Sequence, residues 1–168
     1  WAFWRFLLHR ERYAKIEFNL DLNVLGVYDN TILVEAIAIV ENKGLVRHWI
    51  NDFKFNLHYL PEGGSLKEGD DRINKQVLFE RIFGEKEKRY WIPPTWIRTF
   101  IDSGITQHYT YVTHVPRNAA FVLLYAEFKY PDKRSDYHTS QKVFNIQNKL
   151  SEIDIQTRSN NAFNPTAR

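Results

Sequence analysis

The sequence predicts an all-β protein, an antiparallel immunoglobulin-like β-sandwich of about seven or eight strands. Three observations carry that prediction. Several stretches alternate apolar and polar residues with period two, the spacing of a strand with one buried face. The 168 residues include twelve Phe and nine Tyr, side chains that suit a pleated, half-buried surface. After Tyr13 no stretch keeps a 3.6-residue period, so no helix is available to cross between parallel strands.

Each strand can be placed in order. From Lys15, Ile16, Phe18, Leu20, Leu22 and Val24 alternate with Glu17, Asn19, Asp21 and Asn23. Tyr28-Asp29-Asn30 is a turn tripeptide. Thr31 to Val40 is a nearly continuous β-branched run, the pattern of a central strand. Glu41-Asn42-Lys43-Gly44 closes it, with Gly44 expected at positive φ. Leu45 to Leu60 is long for one strand, and its apolar phase switches at Asn51-Asp52, which predicts a bulge there. Pro61 to Asn74 reads as a loop and Lys75 to Phe83 as a strand. Gly84 to Arg89 is a charged tip. Tyr90-Trp91-Ile92-Pro93-Pro94-Thr95-Trp96 is an extended crossover, because two prolines cannot sit in a central strand. Ile97 to Ile101, Ile105 to Val115, Ala119 to Tyr130 and His138 to Ile146 complete the set, separated by Asp102-Ser103-Gly104, Pro116-Arg117-Asn118 and the loop from Pro131 to Asp136. Residues 1–13 form the end of a juxtamembrane helix, 14–147 the sandwich, and 148–168 a frayed tail in which Asn148 to Ile155 could hold one marginal helix.

Composition narrows the chemistry. A chain of this length is one domain with room for a proper core. It contains no Cys, which excludes a disulfide scaffold, a thiolate nucleophile and a Cys-ligated metal. The net charge of +3 is mild. It is concentrated near the start, at Arg5, Arg10, Arg12 and Lys15, so a nucleic-acid footprint is not expected.

No catalytic motif emerges. His108 and His114 share a face of one strand, but strand metal sites favour closer pairs and need a third ligand. His48 and His58 lie on the long third segment, and His138 stands two residues from Asp136. Scattered packed or surface histidines account for all five. Ser103 sits in a turn without the strand–turn–helix context of a nucleophile elbow. Ser135, Thr139 and Ser140 stand near acids or histidines without a motif. Gly63-Gly64 lacks the Lys and the helix of a phosphate loop. Asp70-Asp71 and the Glu17, Asp21 pair read as solvated acids. No enzyme activity, cofactor or metal is expected.

Two aromatic segments stand out. Trp1, Phe3, Trp4 and Phe6, with Leu7 and Leu8, leave Arg5 as the one polar residue among the first eight. Trp at an interfacial belt, followed by Arg5, Arg10 and Arg12, is the pattern expected where a transmembrane span ends. Eight apolar residues cannot cross about 30 Å of hydrocarbon, so the span is expected upstream of Trp1. The second segment is Trp91 to Trp96. Trp91, Pro93, Pro94 and Trp96 form either a partner groove or a strap plugging the sandwich, and plugging is the more ordinary use of such aromatics.

A set of motifs stands in order along the chain: Val40-Glu-Asn-Lys-Gly-Leu-Val-Arg-His48, Asn51-Asp-Phe-Lys-Phe-Asn-Leu57, Gln76-Val-Leu-Phe79, Trp91-Ile-Pro93, Ile105 to Pro116 and Phe128-Lys-Tyr-Pro-Asp132. Together they resemble a family of uncharacterised bacterial proteins with one N-terminal transmembrane helix and a β-sandwich. The resemblance covers about Trp1 to Ile146. It implies a single-pass inner-membrane protein and supplies no catalytic residue. Glu85 to Arg89 looks like a local insertion. The end, Ser159-Asn-Asn-Ala-Phe-Asn-Pro-Thr-Ala-Arg168, is similar to integron gene-cassette read-through, which implies that Asn160 to Arg168 are structurally idle.

The functional expectation is a membrane-anchored interaction or scaffold module with an unknown protein partner. Positive charge after the span places the sandwich on the cytoplasmic side. The alternatives are a soluble ligand-binding sandwich of a stress or defence response and, further off, a hydrolase with an unrecognised site.

Overall fold

A computed structural model describes residues 14–63, 65–69, 76–82, 97–131 and 137–152. Among the described residues, eight antiparallel strands form two sheets packed face to face: β1 (Ile16–Tyr28), β2 (Thr31–Asn42), β3 (His48–Pro61), β4 (Glu80–Arg81), β5 (Arg98–Ile101), β6 (Thr106–Pro116), β7 (Ala119–Lys129) and β8 (Tyr137–Asn145). One sheet runs β1-β2-β6; the other runs β4-β3-β7-β8, with β5 also paired to β3. β1, β2 and β6 thus hold the A, B and E positions of an immunoglobulin-like sandwich, and β3, β7 and β8 the C, F and G positions.

Period two produces this arrangement directly. β1 buries Phe18, Leu20, Leu22 and Val24, while Glu17, Asn19 and Asn23 face water. β2 buries Ile32, Val34, Ala36, Ala38 and Val40. From the other sheet come Phe53, Phe55, Leu57, Val122, Leu124, Ala126 and Phe128. The layers meet through rings. Phe53 stacks on Tyr109 with centroids 4.5 Å apart, and Phe18 lies 5.9 Å from Phe53 and 5.2 Å from Phe128.

The two expected chain irregularities are present. Asp29 and Asn30 make a two-residue turn between Tyr28 and Thr31, with Asp29 at φ 50. The phase switch in β3 is a bulge: register with β7 shifts between Asn51 and Lys54, and Asp52 has φ 53. Asp tolerates this left-handed conformation better than most side chains. The bulge keeps both Ile50 and Phe53 fully buried.

Three expectations change. The Lys75 to Phe83 strand is divided between two neighbours. Val77 bridges Glu68, while Glu80 and Arg81 pair with Tyr59 and His58 of β3. Gly44 is not among the positive-φ residues. Its constraint is space, because a Cβ there would stand 3.1 Å from the Asn42 side-chain oxygen. The short helix for which Asn148 to Ile155 offered room is present but begins two residues earlier, at Ile146, and is described to residue 152. The Asn145 carboxamide accepts a hydrogen bond from the Asn148 N–H at 3.0 Å, as an N-cap does. Ile146 is fully buried and Leu150 packs on the core.

The sandwich therefore has two differently built ends. The far end carries the Asp29-Asn30 and Arg117-Asn118 turns and the helix. At the other end β1 begins, β2 ends and β3, β6 and β8 begin. We call this the entry end, because the chain reaches the first strand there. Asn42, fully buried, holds it together. Its side chain donates to the carbonyls of Val46 (2.8 Å) and Ile101 (3.2 Å) and accepts from the Gly44 N–H (2.9 Å). Its backbone bonds Ile105 and Gly104. One residue thus ties the β2–β3 loop to the end of β5, through its side chain, and to the β5–β6 connection, through its backbone.

Candidate interaction surface

At the entry end, β3 pairs with the short β5, and Trp49 stands opposite Phe100. Because Ile50 and Ile101 point inward, both rings lie on the wet face. They meet edge to face at 5.3 Å, and each has a cation on it. The Arg98 guanidinium lies 4.8 Å from the Trp49 ring, and that of Arg47 lies 4.1 Å from Phe100. Trp49 is 40% and Phe100 39% exposed, too much for core plugs. Exposed Ile97 precedes β5, and exposed Val46 lies between Leu45 and Arg47.

Electrostatics divides the two arginines. Arg47 binds Asp102 through two nitrogens, at 2.5 and 3.1 Å, and these bonds hold its guanidinium above the usual range. Among the described residues, Arg98 has no carboxylate within ion-pair distance in this structure; its contact is the Trp49 face. The ledge thus offers a fixed Arg47–Phe100 pair beside a cation resting on Trp49. Trp and Arg are the side chains that most often dominate binding at protein interfaces.

Behind the ledge, between the sheets, lies a polar aromatic cluster. The Tyr130 hydroxyl and His138 Nδ1 are 2.8 Å apart, and the His48 ring stands edge-on to Tyr130 at 6.2 Å. His138 also packs against Phe18 and Phe128. Burial pushes both histidines below the usual imidazole range and Tyr130 up to about 12. These groups stay neutral near pH 7 and serve as packing.

The other sequence candidates are dispersed. His108 and His114 are both exposed on the outer face of β6. Six residues of strand separate them by about 20 Å, far beyond a shared ion. No group of three His, Asp or Glu is placed to hold a metal among the described residues. His58 lies in β3, opposite Arg81 and Leu123. Ser103 donates its hydroxyl to the Gly44 carbonyl at 2.7 Å, a loop tie. Glu17 pairs with Lys43, and Asp21 accepts from the Leu22 N–H. The expected membrane-interface residues Trp1, Phe3, Trp4, Arg5, Phe6, Arg10 and Arg12 lie outside the described residues, as do Trp91, Pro93, Pro94 and Trp96. So do Asp70, Asp71, Ser135, Asp136 and the segment from Asn160 to Arg168.

The ledge itself had a sequence signature that motif reading passes over. Arg47-His48-Trp49, at the start of β3, and Arg98-Thr99-Phe100, in β5, each place a cation two residues before an aromatic, the spacing that puts both on one face of an extended chain. Neither pattern means much alone. Pairing in register sets them side by side.

No protein-family model matches this chain, and no curated protein is similar enough to count as a relative. Several solved structures are similar in fold, three of them as follows. One is a Bordetella pertussis protein provisionally named ApaA (TM-score 0.46, 9% identity, 79% of this chain and 94% of that one). Another is a structural-genomics target (TM-score 0.45, 10% identity, 77% of this chain and 83% of that one). The third is β-glucuronidase 2 of Bacteroides uniformis (TM-score 0.45, 10% identity), where the match spans 77% of this chain and 14% of the enzyme. These likenesses concern the sandwich alone. No helix among the described residues is long and apolar enough to cross a membrane.

Proposed function

We propose that this chain is a membrane-anchored interaction module, and that the Arg47, Trp49, Arg98 and Phe100 ledge is its partner surface. The observation that carries the reading is the pair of half-exposed rings, each capped by an arginine, on a rigid sheet. A folded domain gains little by leaving such rings in water, whereas a partner would gain a preorganised anchor. The Trp91 to Trp96 segment leads into Ile97 and β5, so the partner residues expected from sequence adjoin the ledge along the chain. The Trp1 to Arg12 stretch supports the anchor reading as its interfacial collar, on its aromatic and arginine content.

The test compares two surfaces. A Trp49→Ala/Phe100→Ala variant and a control Phe121→Ala/Val143→Ala variant, altered farther along the same sheet, are each used to capture partners from native membranes, and their thermal unfolding is measured. The reading expects capture to be lost in the ledge variant and kept in the control, with both unfolding close to the parent. Equal capture by both variants, or losses that track unfolding, overturns it.

A further inference from the structure

A strand edge with free N–H and C=O groups invites another strand, and folded proteins blunt such edges with charge, bulges or brevity. Among the described residues, every edge strand but one is blunted in this way. β4 and β5 hold two and four residues. β1 carries Glu17 and Asp21 and a bulge between Val24 and Gly26. β8 carries Lys142. β6 is the exception. Its 11 residues, Thr106–Pro116, include no Asp, Glu, Lys or Arg, and its register with β2 runs unbroken.

The bonds at the two ends of that pairing show which backbone groups are already used. The Asn42 N–H donates to the Ile105 carbonyl at 3.0 Å, and the Arg117 N–H donates to the Asn30 carbonyl at 3.3 Å. Antiparallel bonding alternates, so the odd-numbered residues of β6 face β2 and the even-numbered ones face away from it. Pro116 fits this phase, because at the outer edge its missing N–H costs the ladder nothing. Among the described residues no strand lies on the outer side of β6, and none bonds the backbone of Thr106, His108, Thr110 or Val112 there. All four side chains are exposed on the outer face of the sheet. His114, which has an interaction of its own, and Pro116 bound the run.

We infer that the β6 edge pairs antiparallel with the β6 edge of a second copy of this chain, joining two three-stranded sheets into one of six strands. Symmetry and charge both select a second copy as the occupant. The four open positions are centred on Tyr109. With a two-fold axis there, Thr106 lies opposite the second copy's Val112, and His108 opposite the second copy's Thr110. Every open N–H and C=O then finds a partner, about eight hydrogen bonds in all. No like charges meet, because β6 carries no formal charge, and β-branched side chains opposed in this way pair well. A charged peptide would find no counter-ion along this edge. The contact is isologous and uses up the open edge, so assembly stops at two. The axis is perpendicular to the sheet, so both Trp49–Phe100 ledges come to lie on one side of the pair. The inference does not depend on what the ledge binds.

The test is the mass of the full chain in solution, by sedimentation equilibrium at chain concentrations up to about 100 μM. A His108→Lys/Thr110→Lys variant sets like charges opposite each other across the axis. An Asn19→Lys/Asn23→Lys control adds the same charge to the outer face of β1. All four positions are exposed, so thermal unfolding at low chain concentration should match the parent. The expected result is twice the 20.1 kDa of one chain for the parent and the control, and at least about a tenfold weaker association for the edge variant. A second readout fixes the register. When His108→Cys chains and Thr110→Cys chains are mixed and oxidised, the mixed disulfide should exceed both like-with-like products, in a chain that has no Cys of its own. A monomeric parent, an edge variant that associates as well as the parent, or equal weakening by the control overturns the inference. So does a population dominated by species larger than two chains. A mixed disulfide no more abundant than chance overturns the register about Tyr109.

Discussion

The two ends of the sandwich solve the same problem in different ways. Each must close a layer of apolar side chains against water. The far end uses apolar matter and short connections: two tight turns, the buried Ile146 and Leu150 of the helix packed on the core. The entry end uses buried polar groups. Asn42 satisfies two loop groups and the end of β5 with its side chain, and the Tyr130 hydroxyl bonds His138 between the sheets. An apolar plug tolerates small adjustments. A polar one is stiff, and fails when a partner is removed, because buried donors and acceptors must be matched. Rigidity lies where the chain enters and where the ledge is built.

The sharpest way to break that contrast is Asn42→Ala. It strands the Gly44 N–H and the Val46 and Ile101 carbonyls, and should lower unfolding free energy by about 3 kcal/mol. Chemical denaturation will show this as a lower midpoint with little change in slope. If Asn42→Ala costs no more than an exposed turn substitution such as Asn30→Ala, the clamp is not what holds this end.

Acidification should also act mainly at the entry end. The folded-state pKa values of His48 and His138 are lowered by burial. The unfolded chain therefore takes up protons first as pH falls through about 6.5. The contribution of these groups is full above that pH and is lost below it, until the folded-state histidines also titrate. His58, lowered by burial and by Arg81, adds to the same slope. A His48→Gln/His138→Gln variant should show a flatter fall in melting temperature between pH 7 and 5 than the parent. An unchanged slope would remove these two histidines from the account.

The mildest contrast comes from the far end. Asn145→Ala removes the cap of the helix 146–152 but strands nothing buried, and should cost about 1 kcal/mol or less. Exchange of amide hydrogens at 148–152 should rise, while the β2–β3 loop is unaffected. A loss as large as that of Asn42→Ala would mean that the helix carries more of the closure than its one buried and one packed side chain suggest.

Much of this was legible in the chain. Period-two alternation marks β1, β2, β3, β6, β7 and β8 because a strand's faces alternate strictly, and the phase slip at Asn51-Asp52 marks the bulge because one extra residue inverts every face after it. Asp29-Asn30 reads as a turn from its side chains alone. The stretch from Lys75 to Phe83 misleads because alternation does not name the neighbour, and its residues serve two partners. The helix 146–152 is too short to be stable from propensity; docking of Ile146 and Leu150 provides what the local sequence lacks.

The sequence by itself determined the architecture: two antiparallel layers, which residues face inward, and where the chain turns. Those properties follow from local periodicity and local backbone preference. Only the tertiary structure decided the surface. Arg47, Trp49, Arg98 and Phe100 lie about fifty residues apart in two pairs, and strand register alone joins them. The same holds for Asn42, which in sequence is one polar residue before a loop and in the fold reaches Ile101, 59 positions away. Periodicity is a property of neighbours along the chain. A binding surface belongs to neighbours in space, and antiparallel pairing and loop packing choose those.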